Sequence, residues 1–425
     1  MPKTNPYDLI IVGAGPAGLS TALHLAQVAP ELAGRTLILE KAHHPRAKLC
    51  AGGLVADAEI ILERLGLDSS EVPHVDVKAA HFDFAGKGLM ISVPRKHTLR
   101  IIRRDEFDAW LAGKAREKRI EIREGVTVRS VYVTNEGVEV ETDAGTFSAQ
   151  VVVGADGSNG VTRRCVLPDA PIHTARALEV ITPAQPVIAR ERSDRHRTRR
   201  VSNPHLVTEK IASAEACPEP VEGNTPRNDG HASSHAYFDF FCVPDGIAGY
   251  TWDFPTQIKG QPMRCWGIYD MNIFADEKRP PLKETLAQEM ARRGLDLAEA
   301  EVNAHPLRWF SPFNAFAVPR VLLAGDAAGA DPLLGEGISM ALGYGQVAAR
   351  AIRSAFTRDD FSFSDYHWRI LRSPLGQTLA ARWFFGHILY ALRWRRLQSA
   401  LWRSLNPLIF VLAWLFVLNW GKRMR

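Results

Sequence analysis

The sequence predicts an α/β protein, α+β overall: a parallel sheet layered by helices, an interleaved antiparallel sheet, and a helical C-terminus. Three observations predict it. Residues 7–26 read as an apolar, β-branched strand, a glycine turn and a helix in direct succession, the opening of a Rossmann-type unit. Two later buried strands also end in glycine–aspartate turns, at 154–157 and 325–326, where open α/β sheets place their ligands. Between those turns lie three aromatic-rich segments, 236–243, 249–254 and 264–269, which read as antiparallel strands.

The turn after the first strand is Gly13-Ala14-Gly15-Pro16-Ala17-Gly18. Gly13 permits the tight turn, Gly15 lets the backbone approach a pyrophosphate, and Gly18 packs the helix closely on the strand. The phosphates would lie against unpaired N–H groups at the helix N-terminus. A strand over 36–39 follows and ends in Glu40, placed to accept hydrogen bonds from ribose hydroxyls.

Composition narrows the classes. A chain of 425 residues has room for two domains and a large core. Its formal charge of +5 is small for that length, and no Lys/Arg stripe interleaves with aromatics, which argues against nucleic acid. Five cysteines without a CxxC pair argue against a zinc site and a disulfide framework, so no metal is expected. The first strand starts within a few residues of Met1 and leaves no room for a signal peptide, so a cytoplasmic protein is expected.

A basic loop, 43–54, carries Cys50 and the pair Gly52-Gly53, which could lay backbone against a flat ligand or be incidental. A helix over 57–65 and strands near 81–84 and 90–93 follow, and Asp105 reads as the N-cap of a helix reaching about residue 118. Strands over 126–134, 137–142 and 147–153 lead to Gly154-Ala155-Asp156-Gly157. Residues 186–235 are charged, rich in Pro, Ser, Asn and Gly, and poor in large apolar side chains, so they read as a disordered insertion. They also resemble translated intergenic repeats, which implies a functionally idle segment.

Tyr250, Trp252, Phe254 and Trp266 suit the wall of an apolar pocket, or plain core. A helix over 282–293 and a strand over 321–324 lead to Gly325-Asp326, and Gly335-Glu336-Gly337 begins a long helix, so a carboxylate and a helix N-terminus face the sheet's ligand edge. The apolar run 408–418 is shorter than the ~20 residues a spanning helix needs. Trp414 and Trp420 with basic flanks match a helix lying in a membrane interface, and a buried terminal helix is the alternative.

Together these motifs resemble the FAD-dependent oxidoreductases of the p-hydroxybenzoate hydroxylase fold, and within them the chain is similar to the geranylgeranyl reductase family. The residues that carry the resemblance are GAGPAG at 13–18 with Glu40, Arg104-x-x-Phe107-Asp108, GADG at 154–157 with Arg163, and GDAAGADPLLGEGI from Gly325 to Ile338. Gly249 to Pro255, GYTWDFP, is similar to the family's YxWxFP motif, and KLCAGGL, Lys48 to Leu54, to its Cys-Gly-Gly with Ala51 intervening. Gly160 stands where the family usually has serine.

The resemblance implies FAD, with Glu40 and Lys41 at the adenosine ribose, Arg104 on the nucleotide side, Asp156 and Gly157 near the pyrophosphate, and Gly325 and Asp326 at the ribityl chain. Pro332, Gly335, Gly337 and Ile338 would also bind the cofactor, the helix beginning near Gly337 directing its positive end at the flavin N1/C2 carbonyl. Cys50, Tyr250 and Trp252 would line the substrate pocket as candidate catalytic residues. The expected cofactor domain comprises 1–80, 101–165 and 305–355, the substrate domain 81–100, 166–185 and 236–304, and the C-terminal helical region 356–425. The implied reaction is hydride transfer from reduced flavin to carbon–carbon double bonds of a polyprenyl lipid or precursor; the alternative is a monooxygenase that hydroxylates or epoxidises an apolar molecule. Electrons would come from NAD(P)H or a ferredoxin-type donor protein, and the enzyme would sit on the inner face of the cell membrane.

Overall fold

The computed structural model describes residues 7–93, 95–184, 234–274 and 280–424. The insertion expected at 186–235 lies outside them except at its end, where His235 already opens a strand, His235–Asp239.

The first strand, Tyr7–Val12, sits inside a parallel sheet between Gly145–Gly154 and Thr36–Glu40. Leu9, Ile10 and Ile11 are fully buried, as a strand covered on both faces requires. Val321–Leu323 extends the sheet beyond Gly145–Gly154, and Glu121–Glu124 extends it beyond Thr36–Glu40. Three turns therefore leave the same sheet edge side by side, tied by backbone bonds from Gly13 to Leu39, Ala155 to Val12 and Ala324 to Gly154, each 2.8 to 2.9 Å long.

A second sheet of seven strands runs in the order Asn303–Arg308, Thr174–Pro183, Gln261–Asp270, Gly249–Ile258, His235–Asp239, Ala79–Phe84, Lys87–Ser92. It is antiparallel except where His235–Asp239 runs parallel to Ala79–Phe84. Residues 305–308, expected in the cofactor domain, thus pair into this sheet against Thr174–Pro183. Strand alternation sends Tyr250, Trp252 and Phe254 to the face shared with Cys265 and Tyr269, all in one core cluster. Trp266 points the other way, toward Ile268 and the helix Leu282–Ala291, so it does not join the expected aromatic wall.

Two helix boundaries differ from expectation. The helix Arg104–Glu117 begins after Arg103 without a side-chain cap, and Asp105, expected as the cap, lies in its first turn and pairs with the Arg103 guanidinium at 3.1 Å. Near the C-terminus, the helix Asn406–Phe416 has no buried residue, and Leu408, Val411, Trp414 and Leu415 are 55, 50, 52 and 55% exposed. The chain then turns back: Trp420 is fully buried beneath Gly343 of the long helix Ile338–Arg358, so it anchors to protein and not to an interface.

Candidate active site

The three turns build one cradle. A methyl group added to Gly18 would lie 2.0 Å from the Gly13 carbonyl oxygen, so only glycine lets the helix Pro16–Val28 start this close to the strand. Gly325, with φ +62°, brings the Gly325–Ala327 turn against Ala17, where a Cβ would sit 2.5 Å from the Ala17 Cβ. Asp326 accepts from the Ser158 hydroxyl at 3.5 Å, which joins the second and third turns.

Glu40 is buried, and its carboxylate takes the Ala14 N–H at 2.9 Å and the Ala42 N–H at 3.1 Å. It therefore shapes the glycine loop from below, while Lys41 beside it is exposed. Arg46, absent from the sequence reading, lies over the loop: an added Gly15 Cβ would be 3.4 Å from its guanidinium. It approaches Glu40 at 3.6 Å and Asp108 at 3.3 Å, and its Nε has no hydrogen-bond partner among the described residues. A buried guanidinium nitrogen at a helix N-terminus, with donor capacity to spare, suits a phosphate.

Asp108, fully buried, also holds Arg104 through two bonds of 2.8 and 2.9 Å. Burial works against the Arg104 charge, but Asp108 more than offsets it and keeps the guanidinium above its ordinary pKa. Asp156 gives one carboxylate oxygen to Thr162, at 2.9 Å to its N–H and 3.1 Å to its hydroxyl, and leaves Oδ1 buried and unpartnered. That carboxylate fills the space a side chain at position 160 would need, with Oδ1 2.2 Å from an added Cβ, which accounts for Gly160 in place of serine. Gly157 beside it adopts φ +82°.

The loop from Pro332 to Gly337 is held from the sheet and the C-terminal helices. Tyr269 donates to the Pro332 carbonyl at 2.9 Å, Tyr250 to Leu334 and Tyr390 to Leu333. Arg382, on the helix Pro374–Ala391, bonds Asp331 at 2.5 Å and Glu336 at 3.0 Å. Gly335 turns the loop beside the Tyr269 ring, and Gly337 precedes the helix that starts at Ile338, where an added Cβ would lie 3.6 Å from the Asp326 carboxylate. The predicted carboxylate and helix N-terminus are thus adjacent.

Of the candidate catalytic residues, Tyr250 commits its hydroxyl to the loop, and burial, then the Asp331 and Glu336 charges, raise its pKa. Trp252 donates Nε1–H to Cys265 Sγ at 3.5 Å. Cys50 sits between them and Arg104; burial raises its thiol pKa, and Sγ accepts the Gly52 N–H at 3.4 Å. Gly52 carries the tight contact of this loop, lying against the Ile102 carbonyl, so the intervening Ala51 does not disturb it. Lys48 and His305, which meet at 2.7 Å, and Glu179 complete the space, and the sequence reading named neither His305 nor Glu179.

Residues 6–195 match the family described as FAD binding domain. The protein is an FAD-dependent oxidoreductase whose FAD-binding domain lies in those residues. The fold of the flavoprotein is shared with a geranylgeranyl bacteriochlorophyll reductase-like protein of Thermoplasma acidophilum, with a TM-score of 0.72, 19% identity and 98% of each chain covered. The flavoprotein is also 25% identical to an uncharacterized protein of Methanosarcina barkeri, over 90% of its own chain and 84% of that one. FixC of Salmonella typhimurium is 26% identical, with 87 and 82% covered. The glycine cradle, the spare donor on Arg46 and the loop at the long helix fit FAD, which supplies hydride transfer when bound.

Proposed function

We propose that the flavoprotein reduces carbon–carbon double bonds of a polyprenyl chain in a lipid or lipid precursor taken from a membrane surface. One observation carries this reading. A single hydrophobic cluster runs from Trp252, Tyr250 and Tyr269 beside the cofactor loop to Trp402, Ile409 and Ala413 on the protein side of the exposed apolar helix. Phe240 links the two ends, 5.4 Å from Tyr250 and stacked on Trp402 at 4.2 Å. That cluster is close-packed core, so it fixes the exposed apolar helix to the sheet beside the cofactor loop, and an apolar substrate taken from a membrane would be met next to the cofactor site. Exposed Arg395, Arg396, Lys422 and Arg423 flank the helix and suit anionic lipid headgroups. Among the described residues no single helix is long and apolar enough to cross a membrane; the pair Arg395–Arg403 and Asn406–Arg423 reaches that length and composition only together, bent by 74°. The aromatic wall suits an apolar substrate, and the neighbour named as reductase-like supports reduction.

The test is anaerobic. The purified protein, reduced and mixed with geranylgeranyl lipids, should reoxidise its flavin and yield products heavier by two hydrogens per turnover; reoxidation only by oxygen, with oxygenated product, would overturn the reading. Leu408→Glu with Trp414→Glu should abolish co-sedimentation with anionic vesicles while leaving FAD bound. Vesicle binding equal to that of the unmodified protein would remove the membrane part.

A further inference from the structure

We propose that Glu179 is the acid of the active site, the group that delivers a proton to the alkene carbon that does not receive hydride. This rests on the reductase reading above. Glu179 lies on Thr174–Pro183, directly opposite Gly267, which lies opposite Trp252, which lies opposite Phe238. The four form one row across four strands, on the sheet face that meets the cofactor domain. Gly267 leaves a gap in that row, and the Trp252 ring covers it.

The carboxyl is buried and makes no ion pair within 4.0 Å among the described residues. Its facing groups are the Cys265 thiol from the adjacent strand, the Cys50 N–H from the substrate-side loop, and the Arg103 charge at a distance. Burial, against these weaker opposing effects, pushes its pKa up to about 7. An acid poised near neutral pH suits both giving a proton and recovering it.

The neighbouring groups are unsuited. Burial drives His305 down to about 4, so it is neutral and accepts from Lys48. Tyr250 and Cys50 both have raised pKa values, and the tyrosine hydroxyl already donates to Leu334. Lys48 spends a donor on His305 and lies on the Asp326 side. In the balanced step the alkene π bond breaks and two C–H bonds form, one with the hydride of the reduced flavin and one with the proton of Glu179. The substrate gains two electrons, the flavin loses two, and the Glu179 carboxylate recovers its proton from water.

Two measurements on the FAD-loaded protein test this. Infrared difference spectra between about pH 5 and about pH 9 should show a protonated carboxyl that titrates near neutrality and is missing in Glu179→Gln; a spectrum unchanged by the substitution overturns the proposal without any turnover. Substrate-dependent flavin reoxidation should slow about a hundredfold or more in Glu179→Gln at equal FAD content, with Glu179→Asp partly restoring it. Equal rates in wild type and Glu179→Gln sink the role of Glu179 and leave the reductase reading standing. A wild-type protein inert toward every prenyl lipid removes that reading, and the proton role with it.

Discussion

The cofactor cradle and the substrate-facing sheet meet across one space but are built from different atoms. The cradle is made of backbone approaches: Gly18 against the Gly13 carbonyl, Gly325 against Ala17, Gly52 against the Ile102 carbonyl. The sheet face is made of side chains, Tyr250, Trp252, Cys265 and Glu179, fixed by packing and single hydrogen bonds. A Cβ added at Gly18 or Gly52 would lie about 2 Å from a backbone oxygen, which admits no compromise, whereas a packed side chain can shift. Damage to the cradle should be all or none, and damage to the sheet face graded.

The largest expected effect is Gly18→Val, which should give protein without flavin absorbance; stoichiometric FAD in that variant would break the contrast at its strongest point. Next is Arg382→Met, which strips both Asp331 and Glu336 of their buried partner and should cost about 3–5 kcal/mol in denaturant unfolding. A change below about 1 kcal/mol would mean the two acids are neutral without Arg382. Arg46→Met should weaken FAD binding about tenfold to a hundredfold by loss of charge-assisted bonds, read by fluorescence titration.

The smallest effect separates the two regions by sign of pH dependence. His24, on the cradle helix, is pushed down to about 4 by burial, so its unfolded form binds the extra proton and stability falls as pH drops from about 6.5 through about 4. Glu179 is raised to about 7, so its folded form binds the extra proton and stability falls as pH rises from about 4.5 through about 7. Melting curves across that range should lose the acid limb in His24→Gln and the neutral limb in Glu179→Gln. Identical profiles in both variants would show that neither group is titrating as its surroundings imply.

The same contrast explains what the sequence disclosed. Glycines forced by backbone contact leave a spacing that can be read along the chain, and Gly13 and Gly18 were found that way, whereas Asp326 and the helix start at Gly337 were read from the strand–turn–helix succession. The strand Thr174–Pro183 was missed because Arg176 and Glu179 interrupt its apolar alternation, and Glu179 gains meaning only through its register with Gly267. Trp266 was grouped with Tyr250 and Trp252 by closeness in sequence, which strand parity overrules. Arg46 lay in a basic loop with no periodicity to mark it, and Arg382 depends on a carboxylate 46 positions earlier.

The exposed helix Asn406–Phe416 is moored at both ends. Before it, Trp402 is clamped on Phe240; after it, Trp420 is wedged under Gly343 and the Gly421 N–H is tied to Asp57 at 2.8 Å. A segment fastened twice cannot be drawn off as a free tail, so its depth in a bilayer would be dictated by the body of the protein. Any tug from lipid would pass through Trp420 into the helix Ile338–Arg358, whose other end begins beside Asp326. Seating on a membrane and seating of the cofactor would then strain the same beam.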